Sequence, residues 1–240
     1  MLPKLSIIIP AYNEEKRLPP TLKKIDRYLK EKKILAEIIV INDGSTDNTE
    51  KIIKSINIMG LNVYSHYPNR GKGYAVKRGL EYSRGEKILI TDADLSTPIE
   101  EYEKLNMELD KGYDFVIGSR GLTTSEILKP QKWYRQNMGK IFNLFVRTLL
   151  KIDFYDTQCG FKLIKGDVGR KIGKYMKIEG FAFDVELIII ARELGYKIKE
   201  IPVKWINDED SKVHIIRDST SMLIELFHIY LNKKRGIYHC

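Results

Sequence analysis

Five apolar runs rich in β-branched residues recur in the first half of the chain: Leu5–Ile9, Glu37–Ile41, Leu61–Tyr64, Lys87–Thr91 and Asp114–Gly118. They are nearly continuous in Ile, Val and Leu rather than alternating. A strand covered on both faces reads this way, because both rows of side chains meet apolar neighbours. Helical patterns lie between the runs, at about Pro19–Lys30, Asn48–Ile58, Gly73–Tyr82 and Glu100–Lys111. Two have start signals: Asp47–Glu50 and Thr97–Glu100 are spaced like capping boxes, the second with Pro98 at the first helical position. Strands alternating with helices predict an α/β fold: a mostly parallel central sheet, helices on both faces, right-handed crossovers.

The rhythm changes after Gly121. Leu122–Pro130 reads as a loop and Trp133–Leu150 as a helix with Ile141, Leu144, Phe145, Thr148 and Leu149 on one face. A short strand at Phe161–Ile164, a helix at Phe183–Leu194 ended by Gly195, and a strand at Ile198–Val203 follow. Asn207–Val213 reads as a polar loop, after which Arg217 opens a last helix to about Asn232. With no repeat and no linker, the expectation is one domain over 1–240, divided near Gly121 into a nucleotide-binding half and an elaborated half.

Composition narrows the class. Hydrophobic residues make up 43% and charged residues 30%, which excludes collagen-like and largely disordered chains. Cys159 and Cys240 form no C-x-x-C pair and the four histidines are scattered, so neither a disulfide scaffold nor a zinc site is expected. No apolar run approaches the ~20 residues of a membrane span, and no signal-peptide segment precedes the first strand. A cytoplasmic protein is expected. The net charge of +9 suits an anionic partner (nucleotides, phospholipid head groups or nucleic acid) and equally a plain lysine-rich surface.

What carries function is the placement of polar clusters. The five strands lead respectively into Pro10-Ala-Tyr-Asn-Glu-Glu15, Asn42-Asp-Gly-Ser-Thr-Asp47, Asn69-Arg-Gly-Lys-Gly73, Asp92-Ala-Asp94 and Ser119-Arg120. Ligands of open parallel sheets bind outside the carboxyl ends of the strands, so these clusters are expected to converge. Asp92 and Asp94, flanking Ala93, offer hard oxygen donors to Mg²⁺ or Mn²⁺; the plainer reading is an acidic turn feeding a helix. Asp43 suits the N–H edge of a base and also ordinary turn chemistry. Glu14 suits a ribose or base and also first-turn helix charge. Lys72 lies in a basic glycine turn suited to phosphates or a base. Neither the P-loop pattern nor G-x-G-x-x-G is present.

Together these motifs resemble a GT-A glycosyltransferase of family two. Asp156-Thr-Gln-Cys-Gly-Phe-Lys162, Glu179-Gly-Phe-Ala-Phe-Asp-Val-Glu186, Trp205-Ile-Asn-Asp208, Ser211-Lys212 and Arg217-Asp-Ser219 are similar to the dolichyl-phosphate sugar synthases. Asp92–Pro98 and Asp156–Gly160 resemble the glucosyltransferases among them, which use UDP-glucose; the mannose synthases, which use GDP-mannose, usually have Gln where Ser96 stands. The resemblance implies that Pro10, Ala11, Tyr12, Glu14, Asp43, Lys72 and Ala93 line the donor pocket. Asp92 and Asp94 hold the metal, with Ser96 as a third contact. Arg120, Arg135, Arg217 and Lys212 meet phosphates, and Asp184 and Glu186 face the sugar. It implies inverting transfer of a hexose onto a polyprenyl or dolichyl phosphate.

Three readings compete with glucose transfer: a mannose synthase, a hydroxyl-acceptor enzyme using Asp184 as base, and a basic RNA- or membrane-binding module. The last leaves Asp92 and Asp94 beside a basic turn unexplained, and no aromatics interleave a basic strand as RNA readers require. No nucleic-acid partner is therefore expected. The Trp133–Leu150 and final helices pair apolar faces with nearby Lys and Arg, which predicts peripheral association with the cytoplasmic face of an anionic membrane.

Overall fold

The computed structural model describes residues 2–129, 133–206 and 215–239. The sheet begins with β1 (Leu5–Ala11), β2 (Ala36–Asp43), β3 (Leu61–His66), β4 (Lys87–Ile90) and β5 (Phe115–Ser119). Between them run α1 (Leu18–Glu31), α2 (Thr49–Lys54), α3 (Lys72–Tyr82) and α4 (Tyr102–Asp110), the last preceded by a 3-10 turn at Ile99–Glu101. The second half adds β6 (Glu126–Lys129), α5 (Trp133–Leu150), β7 (Lys162–Lys165), α6 (Gly166–Tyr175), α7 (Phe183–Glu193), β8 (Ile198–Pro202), β9 (Lys204–Ile206) and α8 (Ile215–Lys234).

Seven strands pair in the order β3-β2-β1-β4-β7-β5-β8. All neighbours are parallel except β7, which runs antiparallel to both β4 and β5. The sheet is thus shared by both sequence halves. β1 and β2 are buried along almost their whole length, as their continuous apolar runs require. One core packs α3, α6, α7 and α8 against one face through Val76, Leu80, Ile172, Leu187 and Leu226. The other packs α1 and α4 through Leu22, Ile25, Leu105 and Leu109. The winding direction reverses between β1 and β4, the point at whose carboxyl ends open α/β sheets bind their ligands.

Several expectations are corrected. The Leu122–Pro130 loop contains strand β6, and the Ile198–Val203 strand stops at Pro202 and is followed by β9; β6 and β9 form a separate two-stranded ribbon. Their partners are nearly eighty residues apart, so neither segment has a local signal. Helix α6 was unread because Gly166, Gly169 and Gly173 lower helix propensity. Two of those glycines let α6 approach its neighbours: a Cβ on Gly169 would lie 2.9 Å from Ile88 Cδ1, and one on Gly173 3.2 Å from Leu80 Cβ. Helix α2 ends at Lys54, not Ile58, and α8 begins at Ile215, two residues before Arg217. Neither capping box forms: Asp47 accepts from Thr49 N at 2.9 Å, but Glu50 pairs with Lys54 instead of reaching back, and Pro98 precedes the 3-10 turn. The Asn207–Val213 loop lies outside the described residues. Among the described residues no helix is long and apolar enough to cross a membrane.

Candidate active site

At the end of β2, Asp43 is buried and its carboxylate is fully engaged. Oδ1 meets His66 Nε2 at 2.6 Å and accepts from Arg70 N at 2.8 Å. Oδ2 accepts from Asn69 Nδ2 and Gly71 N, each at 2.8 Å. A carboxylate accepts about four such bonds. Asp43 is therefore the post around which the Asn69–Gly71 turn folds. Gly44 is needed beside it: at φ +68°, a Cβ there would lie 2.6 Å from Asn69 N. Past β1, Glu14 is buried and grips Arg17 at 2.5 and 2.7 Å, and Arg17 Nη1 stands 3.8 Å from Asp94 Oδ2. Pro10 and Ala11 close β1 as buried residues, whereas Tyr12 is exposed.

Asp92 and Asp94 follow β4 on the turn to the 3-10 segment. Lys72, the first residue of α3, donates to Asp92 Oδ1 at 2.5 Å. Asp94 Oδ1 accepts from Ser96 N at 2.9 Å. Burial opposes the charge on Asp92, but Lys72, Lys162 and Arg120 outweigh it and hold its carboxyl below the usual aspartate range. Asp94 moves the other way: burial and the neighbouring Asp92 raise it, against the Ser96 amide and Arg17. Gly160 lies directly against Asp92, since a Cβ there would fall 2.1 Å from Oδ2. Ala93 is buried, and its carbonyl accepts from Thr21 Oγ1 at 2.8 Å. Thr97, read as a helix cap, is instead buried with Oγ1 3.9 Å from Cys159 Sγ.

The second half supplies two further charge pairs. Arg120, after β5, donates through Nε and Nη2 to Asp156 at 2.7 and 2.9 Å, and its amide also binds Asp156 at 2.9 Å. Burial opposes this pair too, yet Arg120 holds the Asp156 carboxyl down. Lys162, wholly buried on β7, donates to Asp184 Oδ1 and Cys159 O, each at 2.5 Å. Asp184 sits in the first turn of α7, and burial pushes its carboxyl up despite Lys162 and Lys72. Burial likewise pushes the Cys159 thiol up to about 11, leaving it an inert core residue.

The structure therefore joins Lys72, Asp92, Asp94, Arg120 and Asp184 in one cluster, with Glu14 linked to it through Arg17. Glu186 does not face it. That carboxylate is buried in the core and accepts from Lys177 N, Ile178 N and Tyr238 Oη at 2.8–2.9 Å. Lys212 lies outside the described residues. Arg135 is on α5 and Arg217 on α8, but only their backbones are described. Arg17 lies in no motif, and Asp156 and Lys162 stand at the two ends of a motif whose sequence does not show their pairing with Arg120 and Asp184. Lys162 had a signal, a cation set between Phe161 and the apolar pair Leu163 and Ile164.

The donor set suits a hard cation that also binds substrate. Asp92 and Asp94 would supply two oxygen ligands, and among the described residues no group of three or more acidic, His or Cys side chains is placed to hold a metal ion. Such a pair leaves most coordination positions to phosphate oxygens and water, as Mg²⁺-type sites do. The inner cluster holds four carboxylates (Asp92, Asp94, Asp156, Asp184) against three cations (Lys72, Arg120, Lys162).

The sequence profile described as "Glycosyl transferase family 2" matches residues 6–169. A dolichyl-phosphate beta-glucosyltransferase of Dictyostelium discoideum is 36% identical over 98% of this chain and 76% of its own length. The protein of that name from Saccharomyces cerevisiae is 34% identical over 98% and 76%. Among solved structures, mannosyl-3-phosphoglycerate synthase from Rubrobacter xylanophilus superposes with a TM-score of 0.70 at 20% identity, covering 98% of this chain and 74% of that one. Glucosyl-3-phosphoglycerate synthase from Mycobacterium tuberculosis, solved with Mn²⁺, UDP-glucose and phosphoglyceric acid, gives 0.68 at 19% identity over 95% and 80%. The fold is that of the GT-A glycosyltransferases.

Proposed function

The chain belongs to glycosyl transferase family 2, and from that premise we propose that it moves glucose from UDP-glucose onto a polyprenyl phosphate of the dolichyl type. The observation that carries this reading is the likeness to the dolichyl-phosphate beta-glucosyltransferases along nearly the whole chain, including the second half beyond the family profile.

The donor's diphosphate faces Lys72, Arg120 and the Asp92–Asp94 pair. A divalent cation held by Asp92 and Asp94, when bound, supplies positive charge for the departing diphosphate. Lys72 sits at the amino end of α3, where the helix dipole also favours anions. Arg120 is oriented by Asp156, so its guanidinium reaches the site pre-set. Lipid phosphate is already anionic at neutral pH, with a second pKa near ~6. It needs cations to hold it rather than a base, and Arg135 and Arg217 are assigned that task. A phosphate oxygen then forms the new bond to the anomeric carbon, the bond to the diphosphate breaks, and UDP leaves with its electron pair. Attack opposite the leaving group inverts the centre. Asp184 is not needed as a base, consistent with its commitment to Lys162.

Association with an anionic membrane surface belongs to the same proposal. Helices α5 and α8 pack together, and Ile141, Leu144, Phe145, Leu223, Ile224 and Phe227 are exposed. A face of this kind at the edge of the acceptor side suits the boundary of a lipid leaflet.

The test compares polyprenyl phosphate with the matching polyprenol, each with UDP-glucose and GDP-mannose. Glucose transfer to the phosphate alone is expected. Equal glycosylation of the alcohol overturns the acceptor, and mannose transfer without glucose transfer overturns the donor. Flotation with anionic against neutral vesicles checks the surface, with preference for the anionic ones expected.

A further inference from the structure

We propose that Glu225, on α8, is a positioning residue for the turn that carries Lys72, acting through the 177–182 segment. The inference deepens the reading of Asn69–Gly73 as the donor's phosphate turn and rests on it for its functional consequence.

The segment between α6 and α7 has amides with no helical partner, as any helix start does. Two carboxylates from different places satisfy them. Glu186, on α7 itself, accepts from Lys177 N and Ile178 N at 2.9 Å each. Glu225, from a helix forty-three residues further along, accepts from Ala182 N at 2.9 Å and also binds the Gly180 amide. Gly180 lets it come that close, for a Cβ there would lie 2.0 Å from Glu225 Oε1.

On its other side the segment lies directly on the Lys72 turn. A Cβ on Gly71 would fall 2.4 Å from Glu179 O, and one on Gly73 2.5 Å from Ile178 O. Tyr74 N donates to Glu179 O at 3.1 Å, and the Arg70 guanidinium pairs with the Glu179 carboxylate. Three glycines thus bring carboxylate to backbone and backbone to backbone with no side chain between. Contacts of that density transmit displacement rather than absorb it. The line runs from Glu225 to Gly180–Ala182, to Ile178–Glu179, to Gly71–Tyr74, and ends at Lys72 on Asp92.

Packing alone does not explain an acid here. Glu225 is half-buried, its neighbours Met222, Leu226 and Ile229 are core residues, and a carboxylate withdrawn from water costs free energy unless it is bonded. Its bonds go to the segment. The same helix carries Arg217 and is followed by Tyr238, buried with its hydroxyl 2.8 Å from Glu186, so α8 and its tail hold both ends of the segment. The seating of α8 and the placement of Lys72 are one coupled arrangement, and such coupling is reciprocal for binding.

Glu225→Gln keeps the shape but has one acceptor oxygen and an NH₂ that cannot accept. Two readouts apply to the full chain. UDP and GDP are each titrated with Mn²⁺ by calorimetry; whichever binds the wild type should bind the variant about tenfold more weakly, the loss expected for a charged hydrogen bond. The donor KM should rise by the same factor with kcat within about twofold. Amide exchange over residues 70–74, measured without nucleotide, should become faster. A lower unfolding temperature with unchanged exchange at 70–74 and unchanged nucleotide affinity overturns the proposal. Preference for GDP contradicts the donor reading and leaves the exchange result to decide this one. Tyr238→Phe, which frees Glu186 without emptying the core, should raise exchange at 177–178 and 70–74 more weakly. If Glu225→Gln does not fold, unchanged exchange in Tyr238→Phe overturns the coupling.

Discussion

The two halves of the site hold their carboxylates by different means. In the first half Asp43 is held by backbone amides, the Asn69 side chain and His66, and Asp94 by the Ser96 amide with Arg17 at a distance, while Asp92 and Glu14 are the exceptions, paired with Lys72 and Arg17. In the second half Asp156 and Asp184 are held by the side chains of Arg120 and Lys162, deep in the protein. A carboxylate on amides carries its support with the fold. One in a buried ion pair depends on a single partner, whose removal leaves an uncompensated charge. The first arrangement can build a turn, as at Asp43, or leave a carboxylate open to exchange ligands with a substrate, as at Asp94. The second suits groups that orient others.

The comparison can be broken or sharpened by substitution. The largest effect is expected at Lys162. Lys162→Met should cost about 3–5 kcal/mol by stranding Asp184, seen as a lower denaturant midpoint, and Lys162→Met with Asp184→Leu should recover much of it. A Lys162→Met protein as stable as wild type would remove the distinction between the halves. Asp94→Ala should behave oppositely, lowering kcat ~10³-fold while the midpoint stays within about 0.5 kcal/mol. Next comes Asp43→Asn, which trades one acceptor oxygen for an NH₂ facing donors. A cost of about 1–3 kcal/mol should be confined to the Asn69–Gly71 turn, visible as locally faster amide exchange. The smallest effect concerns acid. Asp156 is held below the usual range, so its contribution is present above the unfolded aspartate pKa near ~3.9 and fades as pH falls through the folded value. Unfolding midpoints taken at falling pH should drop, and Arg120→Met should flatten that slope.

The same division explains what could be read in advance. The parallel sheet, α1, α3 and α5, and the convergence of strand-end clusters follow from continuous apolar runs and 3.6-residue spacing, both local. Asp92, Asp94 and Lys72 sit in short motifs beside those runs. Asp156 and Lys162 stand at the ends of a motif too, but their pairing does not show there: like Arg17, each takes its role from a partner 22 to 77 residues away, and pairing at that range leaves no spacing to recognise. The resemblance implies that Glu186 faces the sugar beside Asp184, two positions earlier. On a helix, two positions is about 200° of rotation, and the core lay on that side.

Strand β7 lies between β4 and β5, and β5 pairs only with β7 and β8 in the sheet. The order of synthesis therefore differs from the order of assembly. On a ribosome adding ~5–20 residues per second, β5 is made well before either neighbour and waits several seconds for a place in the sheet. A chain cut at Gly121 would leave β5 without a partner strand and one edge of β4 uncovered. Such a fragment should aggregate, and the first 121 residues should not serve as a portable nucleotide-binding unit in fusion proteins.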